Sequence, residues 1–242
     1  MFRPRLFPAI GILLLLSLFP ACSEKLAKQT GLTAQDLFAR GQQRQAARKY
    51  KDAIEAYQVL LDRFPNSPLA GKAQLALADA KMDNKEDLEA EVAFDDFLRL
   101  YPANDNVPYA LYRKGELLAR QAADPGRDQS KTAEAIKALT LSREKSPKGP
   151  YAGKAASRIA ELRNRLAEHE HRVVSHYLGR KRYASAEARA RRAISEYPET
   201  AAVPSLLSSL ATALEKQGKK DEAAAARKTL AEKFPSFGKK KP

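Results

Sequence analysis

The chain has 242 residues, of which 43 are lysine or arginine and 29 are aspartate or glutamate, giving a formal net charge of +14. Its single cysteine excludes a disulfide framework within the chain and a metal site built from several thiolates. No segment shows the alternating pattern of a β-strand, so the sequence favours an all-α fold.

The first element is a predicted signal peptide over residues 1–21. Arg3 and Arg5 precede an apolar run over residues 6–19. A short basic region followed by a short apolar region is typical of a secretory signal. The run is shorter than the roughly 20 apolar residues that a membrane-spanning helix needs. We therefore expect the mature chain to lie outside the cytosol.

The only cysteine, Cys22, directly follows Ala21 at the end of this run. The arrangement resembles a bacterial lipoprotein signal, which implies a lipid on Cys22 as the first mature residue. Phe19 and Pro20 stand where such signals usually carry a leucine and a small residue. Cleavage by an ordinary signal peptidase near Cys22 is the alternative. Ser23, in place of an aspartate, implies the outer rather than the inner membrane.

An internal repeat occupies the rest of the chain. Five times an alanine lies twelve residues before a proline in a segment with helical periodicity, at Ala53/Pro65, Ala90/Pro102, Ala135/Pro147, Ala186/Pro198 and Ala223/Pro235. One helical hairpin of a tetratricopeptide array takes roughly 34 residues, close to the shortest proline-to-proline spacing of 37. The sequence predicts an all-α, tetratricopeptide-type α-solenoid of about five helical hairpins. Such arrays usually offer a binding surface rather than a catalytic centre.

The small residues of the repeat have a predicted packing role. The alanine lets the second helix of each hairpin lie close to the first, and the proline ends that helix. Small residues also stand 24 positions before three prolines, at Gly41, Ala78 and Ala211. The same register falls on Val174 in repeat 4 and, in repeat 3, on Ala123 within a predicted loop.

The predicted elements follow in chain order. A tether over residues 22–31 leads to Thr33, which is placed to cap the first helix with Asp36 in its first turn. Helices are predicted over residues 34–48, 50–64, 67–82, 85–101, 107–122, 129–145, 150–178, 182–196, 201–217 and 220–233. The seventh is unusually long, with candidate core residues Ile159, Leu162, Leu166, Val173 and Val174. A basic tail, predicted to be disordered, occupies residues 237–242.

The basic excess is concentrated late in the chain. The cluster comprises Arg172, Arg180, Lys181, Arg182, Arg189, Arg191 and Arg192, and the tail adds Lys239 to Lys241. A nucleic-acid partner conflicts with export from the cytosol. Attraction to an anionic membrane face or to an acidic partner fits the charge. A solvated basic face that only keeps the protein soluble is the alternative.

Motifs of enzymatic chemistry are missing from the sequence. It contains no glycine-rich phosphate loop, no Gly-x-Ser-x-Gly and no His-Glu-x-x-His. His169 and His171 are two residues apart and point to different faces of a helix, and His176 lies five further on. We therefore expect neither catalytic residues nor a metal site.

Several segments resemble the BamD-type outer-membrane lipoprotein family of the β-barrel assembly machinery, over nearly the whole mature chain. The matching segments are Tyr50-Lys51-Asp52-Ala53, Phe64-Pro65-Asn66-Ser67, Phe97-Leu98-Arg99-Leu100-Tyr101-Pro102, Tyr109 with Tyr112, Arg113 and Gly115, Arg127-Asp128, the block from Arg163 to Glu170 with Tyr177, Arg180 and Tyr183, and Glu196-Tyr197-Pro198-Glu199-Thr200. Asn104-Asp105-Asn106-Val107 replaces the family's His-Pro-Asn-Val, and the insertion before Arg127 is short.

The resemblance implies a lipid-anchored adaptor on the periplasmic face of the outer membrane, with no cofactor apart from the lipid on Cys22. Its partners would be the barrel-inserting subunit, unfolded outer-membrane proteins and possible further assembly lipoproteins. Repeats 1–3, residues 32–147, would form a peptide groove, and repeats 4–5, residues 148–236, would dock the subunit. The implied groove residues are Phe38, Gln42, Gln45, Leu75, Asp79, Tyr109, Tyr112 and Arg113. Arg189 matches a family arginine that faces the subunit. The alternative is another helical-repeat lipoprotein, such as a pilotin for secretion or pilus assembly.

Overall fold

The computed structural model describes residue 29 and residues 31–122, 124–125 and 127–238. This part of the chain contains ten α-helices and no strand. In chain order they are α1 (Ala34–Ala46), α2 (Tyr50–Arg63), α3 (Ala70–Asp83), α4 (Asp87–Leu100), α5 (Val107–Gln121), α6 (Ser130–Lys145), α7 (Ala152–Gly179), α8 (Tyr183–Glu196), α9 (Val203–Lys216) and α10 (Lys220–Lys233). Consecutive helices contact each other throughout, forming five hairpins. The predicted α-solenoid of five helical hairpins is confirmed.

Each of the five prolines of the repeat is the second residue of the same kind of turn. In each case the carbonyl of the residue before the proline accepts a hydrogen bond from the backbone N–H three residues on, with Phe64 and Ser67, 3.0 Å apart, as the first example. Proline is favoured at the second position of such a turn because its φ is already fixed near the required value. The turns also move the first helices later than predicted: α3 begins at Ala70 rather than 67, and α9 at Val203 rather than 201.

Left-handed residues connect the helices within four of the hairpins. Arg48, Lys85, Lys181 and Gly218 have φ values of 56°, 67°, 56° and 77°. After each of them, the next N–H donates back to a carbonyl five residues earlier, as Lys49 does to Arg44 at 2.8 Å. This is the Schellman arrangement that satisfies the free carbonyls at a helix C-terminus.

The repeat alanines are the points of closest approach between helices. Ala53, Ala90, Ala135, Ala186 and Ala223 are all buried. On the first helices, Gly41, Ala78 and Ala211 are buried as well. A Cβ on Gly41 would lie 2.3 Å from a ring carbon of Tyr57, so only glycine fits there.

Repeats 3 and 4 place different residues at this crossing. Ala123 lies outside the described residues, and Gly115 makes the close contact of repeat 3, against Leu139. Val174 is fully buried although it is not small. The larger side chain is accommodated because three alanines, Ala186, Ala190 and Ala193, face the same hydrophobic cluster from α8.

The core is divided into four clusters, each shared between neighbouring hairpins. The long helix α7 joins the last two. Ile159 and Leu162 pack with α5 and α6, whereas Val174 packs with α8 and α9, and Leu166 covers that cluster from the side. The prediction that Val173 belongs to the core is wrong: it is partly exposed and lines a surface pocket near the end of α7.

The predicted signal peptide, Cys22 and most of the tether lie outside the described residues, as do Lys239 to Lys241 of the tail. From Thr33 onward the N-terminus follows the prediction. The Thr33 hydroxyl accepts a hydrogen bond from the backbone N–H of Asp36, and the Asp36 carboxylate accepts one from the Thr33 N–H. Within the described helices, none combines the length and apolar character needed to cross a membrane.

Candidate functional site

The first helices of the hairpins line a pocket of about 440 Å³. Its lining residues are Phe38, Lys72, Leu75, Ala76, Asp79, Asn106, Tyr109 and Tyr151. They come from α1, α3, the start of α5 and the residue before α7. Four consecutive hairpins therefore build one site, with an aromatic side chain contributed by three of them.

Helix α3 supplies the floor of this pocket. Lys72, Leu75, Ala76 and Asp79 follow the i, i+3, i+4, i+7 pattern that places residues on one helix face. Leu75 is largely buried and Asp79 is partly buried, whereas Lys72 is exposed. The floor is thus apolar in the middle, with a cation at one end and a carboxylate at the other.

Tyr109 and Tyr151 form the far wall, and Tyr112 stands behind them. The ring of Tyr151 lies 5.1 Å from that of Tyr109 and is stacked on Tyr112 at 5.2 Å, measured between centroids. These distances are typical of favourable aromatic pairs. Tyr151 is absent from the residues predicted from sequence. A signal was available, because the dipeptide Pro-Tyr at 150–151 repeats the one at 108–109 directly before or within the first turn of a first helix.

Asp79 is the centre of a polar network beside the pocket. Its carboxylate accepts hydrogen bonds from the Tyr109 hydroxyl and from Nε of Arg113, both at 2.8 Å, and Nη2 of Arg113 also donates to Asp83 at 3.1 Å. Burial raises the pKa of Asp79, while Arg113 and Tyr109 oppose that shift. Burial and the charge of Asp79 together raise the pKa of Tyr109. Tyr109 is therefore a hydrogen-bond donor in a fixed orientation.

Phe38 on α1 forms the near wall. Phe38 packs against Tyr57 with ring centroids 5.9 Å apart, and the Tyr57 hydroxyl donates a hydrogen bond to Gln45 at 3.1 Å. Burial raises the pKa of Tyr57 to about 12. Gln42, on α1, is exposed.

The predicted groove residues thus fall into two sets. Phe38, Leu75, Asp79 and Tyr109 line the pocket together. Gln42, Gln45, Tyr112 and Arg113 are not among its lining residues. Of this second set, Tyr112 and Arg113 support the pocket through Tyr151 and Asp79, and Gln45 is engaged by Tyr57.

Arg189 lies on α8 in an ion pair with α7. Its Nη1 is 3.0 Å from both carboxylate oxygens of Glu170. The Arg189 side chain is 40% exposed and that of Glu170 is 17% exposed. Arg189 is therefore neither a free surface arginine nor a buried one: part of its guanidinium is held by the protein and part faces solvent.

A basic pocket of about 390 Å³ opens at the end of the same hairpin. It is lined by Val173, His176, Tyr177, Arg180 and Arg182. Arg182 directly precedes α8, and Arg189 lies seven residues further on, about two turns along the same side of that helix. We refer to Arg180, Arg182 and Arg189 as the cationic strip of hairpin 4, in which Glu170 pairs with Arg189.

The α7 block from Arg163 to Glu170 connects this helix to its neighbours. Arg163 binds Glu199 and the Glu196 carbonyl, and Asn164 accepts the Ala201 N–H at 2.8 Å. On the other side, Nη1 of Arg165 donates to the Ala122 carbonyl at 3.2 Å, and Nδ1 of His169 donates to the Pro125 carbonyl at 2.6 Å. This block fixes the turns on both sides of α7.

The histidines of α7 do not form a metal site in the structure described. His169 contacts a backbone carbonyl, and burial lowers the pKa of His171. Over the described residues, no group of three or more His, Cys, Asp or Glu side chains is placed to hold a metal ion.

Comparison with known proteins identifies the family. A family model described as YfiO, outer membrane lipoprotein, matches residues 31–230. The chain belongs to this family, the BamD (YfiO) lipoproteins. The outer membrane protein assembly factor BamD of Neisseria meningitidis serogroup A is 31% identical over 213 residues, covering 84% of this chain and 80% of the relative. BamD of Xylella fastidiosa strain 9a5c is 25% identical over 246 residues, 94% of this chain and 84% of the relative.

The resemblance stated from the sequence is thereby confirmed for the BamD family. The match starts at residue 31, at the beginning of the described hairpins, and ends within α10. Among solved structures, the TPR2AB domain of yeast Sti1 gives a TM-score of 0.49 at 19% identity, over 84% of this chain and 78% of that one.

Proposed function

We propose that this BamD-family protein is a lipid-anchored periplasmic adaptor of outer-membrane β-barrel assembly. In this role it binds unfolded segments of outer-membrane proteins in the pocket of hairpins 1–4, and it docks the barrel-inserting subunit through hairpins 4 and 5. Family membership supports the assembly role. Peptide binding is supported by the pocket itself, to which four hairpins contribute lining residues.

The pocket chemistry suits an extended apolar segment. Phe38, Tyr109 and Tyr151 present ring faces that can hold apolar or aromatic side chains of a peptide. Lys72 and Asn106 offer hydrogen-bond donors at the rim for peptide carbonyls or carboxylates. Binding of this kind requires shape and hydrogen bonding but no catalytic group.

The peptide-binding part is tested with Tyr151→Ala and Tyr109→Ala. We expect each to weaken binding of a fluorescent peptide, taken from a strand of an outer-membrane barrel, by about tenfold, because a buried aromatic contact at a hot spot contributes more than 1 kcal/mol. Fluorescence anisotropy gives the Kd. Phe237→Ala is the matched control, since Phe237 is an exposed aromatic outside the pocket. Unchanged Kd values for both tyrosine variants would contradict the proposal.

Docking of the barrel-inserting subunit is supported by the cationic strip on hairpin 4. The exposed part of Arg189 and the nearby Arg182 and Arg180 can bind acidic side chains of a partner. None of these three arginines lines the pocket of hairpins 1–4, so peptide and subunit can bind at the same time.

The docking test separates a direct contact from an internal one. Arg189→Glu should lower co-purification of the barrel-inserting subunit from solubilised outer membranes about tenfold or more, because it places repulsion where a charge-assisted contact stood. Glu170→Gln breaks the same internal ion pair but leaves the arginine in place. It should keep the subunit bound. Equal loss in both variants would show that the ion pair acts only through the stability of hairpin 4.

The same experiment addresses the alternative function. A pilotin-like lipoprotein of a secretion or pilus system would bring down no barrel-inserting subunit even as wild type. It would also be dispensable for growth, whereas an assembly adaptor should be essential or nearly so.

A further inference from the structure

The N-terminal chain is fixed to hairpin 1 at Gln29, before the first helix begins. Nη1 of Arg63, at the end of α2, donates to the Gln29 backbone carbonyl at 2.8 Å. Nη1 of Arg40, on α1, donates to the Gln29 side-chain oxygen at 3.2 Å. Two arginines from two helices therefore hold both the backbone and the side chain of one residue.

This contact limits how far the protein can lie from its anchor. Seven residue steps separate Cys22 from Gln29. A fully extended chain spans at most about 3.6 Å per residue, so Gln29 lies within about 25 Å of Cys22. If Cys22 carries the lipid, as the proposed function holds, the end of hairpin 1 beside Gln29 stays close to the membrane surface.

The surface at that end of hairpin 1 has the composition expected for such a position. A hollow of about 710 Å³ opens there between the start of α1 and the turn after α2. Leu32, Phe64, Pro65 and Pro68 are among its lining residues, and the charged residue among them is Arg63. Partly exposed apolar side chains beside a cation fit the boundary between anionic headgroups and acyl chains.

We propose that Arg40 and Arg63 form a clamp that ends the tether at Gln29 and turns this end of hairpin 1 toward the anionic lipid surface. The proposal rests on the lipid anchor of the proposed function. The clamp sets the orientation of the array: hairpin 1 lies next to the membrane, and hairpin 5, at the other end of the chain of hairpins, lies away from it.

The orientation can be measured independently of natural lipidation. The mature chain, from Cys22 onward, is coupled through its only thiol to a maleimide lipid in vesicles of phosphatidylethanolamine and phosphatidylglycerol. The reference is the same chain with Cys22 capped by N-ethylmaleimide. Hydrogen–deuterium exchange then compares the two forms. We expect exchange in residues 31–33 and 63–69 to slow severalfold on coupling, and exchange in residues 233–238 to stay unchanged.

The clamp itself is tested with Arg40→Ala/Arg63→Ala. This variant should lose the protection of residues 63–69 on coupling, while circular dichroism shows that it remains helical. Arg44→Ala is the matched control, because Arg44 lies on the same helix but pairs with Asp52. No protection at residues 63–69 in the wild type, equal protection at both ends of the array, or full protection in the double variant would overturn the proposal. Intact mass of the protein from native membranes tests the lipid on Cys22 separately.

Discussion

Single atoms decide the spacing of the helices in this array. At the crossing of α1 and α2, the position of Gly41 leaves no room for a Cβ next to the buried ring of Tyr57. Elsewhere alanine is tolerated, as at Ala78 and Ala211. The repeat therefore allows small residues in general, while each crossing has its own size limit set by the side chain opposite.

A glycine pair tests this limit. Gly41→Ala should lower the free energy of unfolding by about 1–3 kcal/mol, because the added methyl group overlaps the Tyr57 ring and overpacking outweighs the gain in helix propensity. Gly153→Ala, where a Cβ meets nothing within 4 Å, should not destabilise the protein. Urea unfolding followed by circular dichroism measures both. A similar midpoint for the two variants would show that Tyr57 can move aside.

At this scale the sequence predicted the apolar residues better than the site. The alanine register could be recognised because it recurs with the repeat, whereas the aromatic candidates Phe38 and Tyr109 came from the resemblance to the BamD-type family. The repeated Pro-Tyr dipeptide could have indicated Tyr151, but its stacking on Tyr112 and the pairing of Arg189 with Glu170 could not be derived from periodicity, since both contacts depend on which helices become neighbours. From its charge alone, Arg189 would be expected at the surface. The packing of α8 on α7 shows that Glu170 is its partner within the protein.

The helices and their connections follow from local sequence rules. Proline positions gave the end of each second helix, and the structure places the same hydrogen-bonded turn after all five. The starts of the first helices were less predictable, because a second turn spans the second to the fifth residue after the proline, as in the hydrogen bond from the Ala70 N–H to the Ser67 carbonyl. The left-handed connections at Arg48, Lys85 and Lys181 could not be predicted, since glycine is the usual residue there.

An arginine substitution at two alanines tests the register of the helices. Ala90 is fully buried on α4, whereas Ala225 is exposed on α10. Ala90→Arg should lower the free energy of unfolding by about 3 kcal/mol or more, because overpacking is combined with burial of an unpaired charge. Ala225→Arg should change it by less than about 0.5 kcal/mol. Equal melting temperatures for the two variants would mean that α4 is rotated relative to its position here.

Across the whole molecule, hairpins are joined by clusters and by single polar residues rather than by one continuous core. Glu187 on α8 is such a residue, because it accepts hydrogen bonds from Lys219 at 2.8 Å and Gln217 at 2.9 Å, both of hairpin 5. A third comes from Arg191 on its own helix at 3.0 Å. The Lys219 bond is the main cause that lowers the pKa of Glu187 to about 2, with Gln217 and Arg191 adding to it.

The coupling through Glu187 should depend on pH. Because the folded pKa lies below the unfolded value, its stabilisation is complete above about pH 4.5 and is lost as the pH falls toward 2. Glu187→Gln should therefore destabilise the protein by about 1 kcal/mol at pH 7 and by much less near pH 2.5. Thermal melts at both values measure the difference. Glu161→Gln is the control, since Glu161 is exposed and pairs within α7. A constant difference for Glu187→Gln would contradict the shift.

The aromatic pocket is assembled from parts that no single hairpin holds. Phe38 and Tyr151 lie at its two ends, and three junctions between hairpins stand between them. A small rotation at each junction adds along the array, so the separation of the two rings is governed by the curvature of the solenoid. The width of the opening is then an elastic property of the chain of hairpins. Substitutions in the turns after Pro65, Pro102 or Pro147 would change it without touching any side chain that lines the pocket.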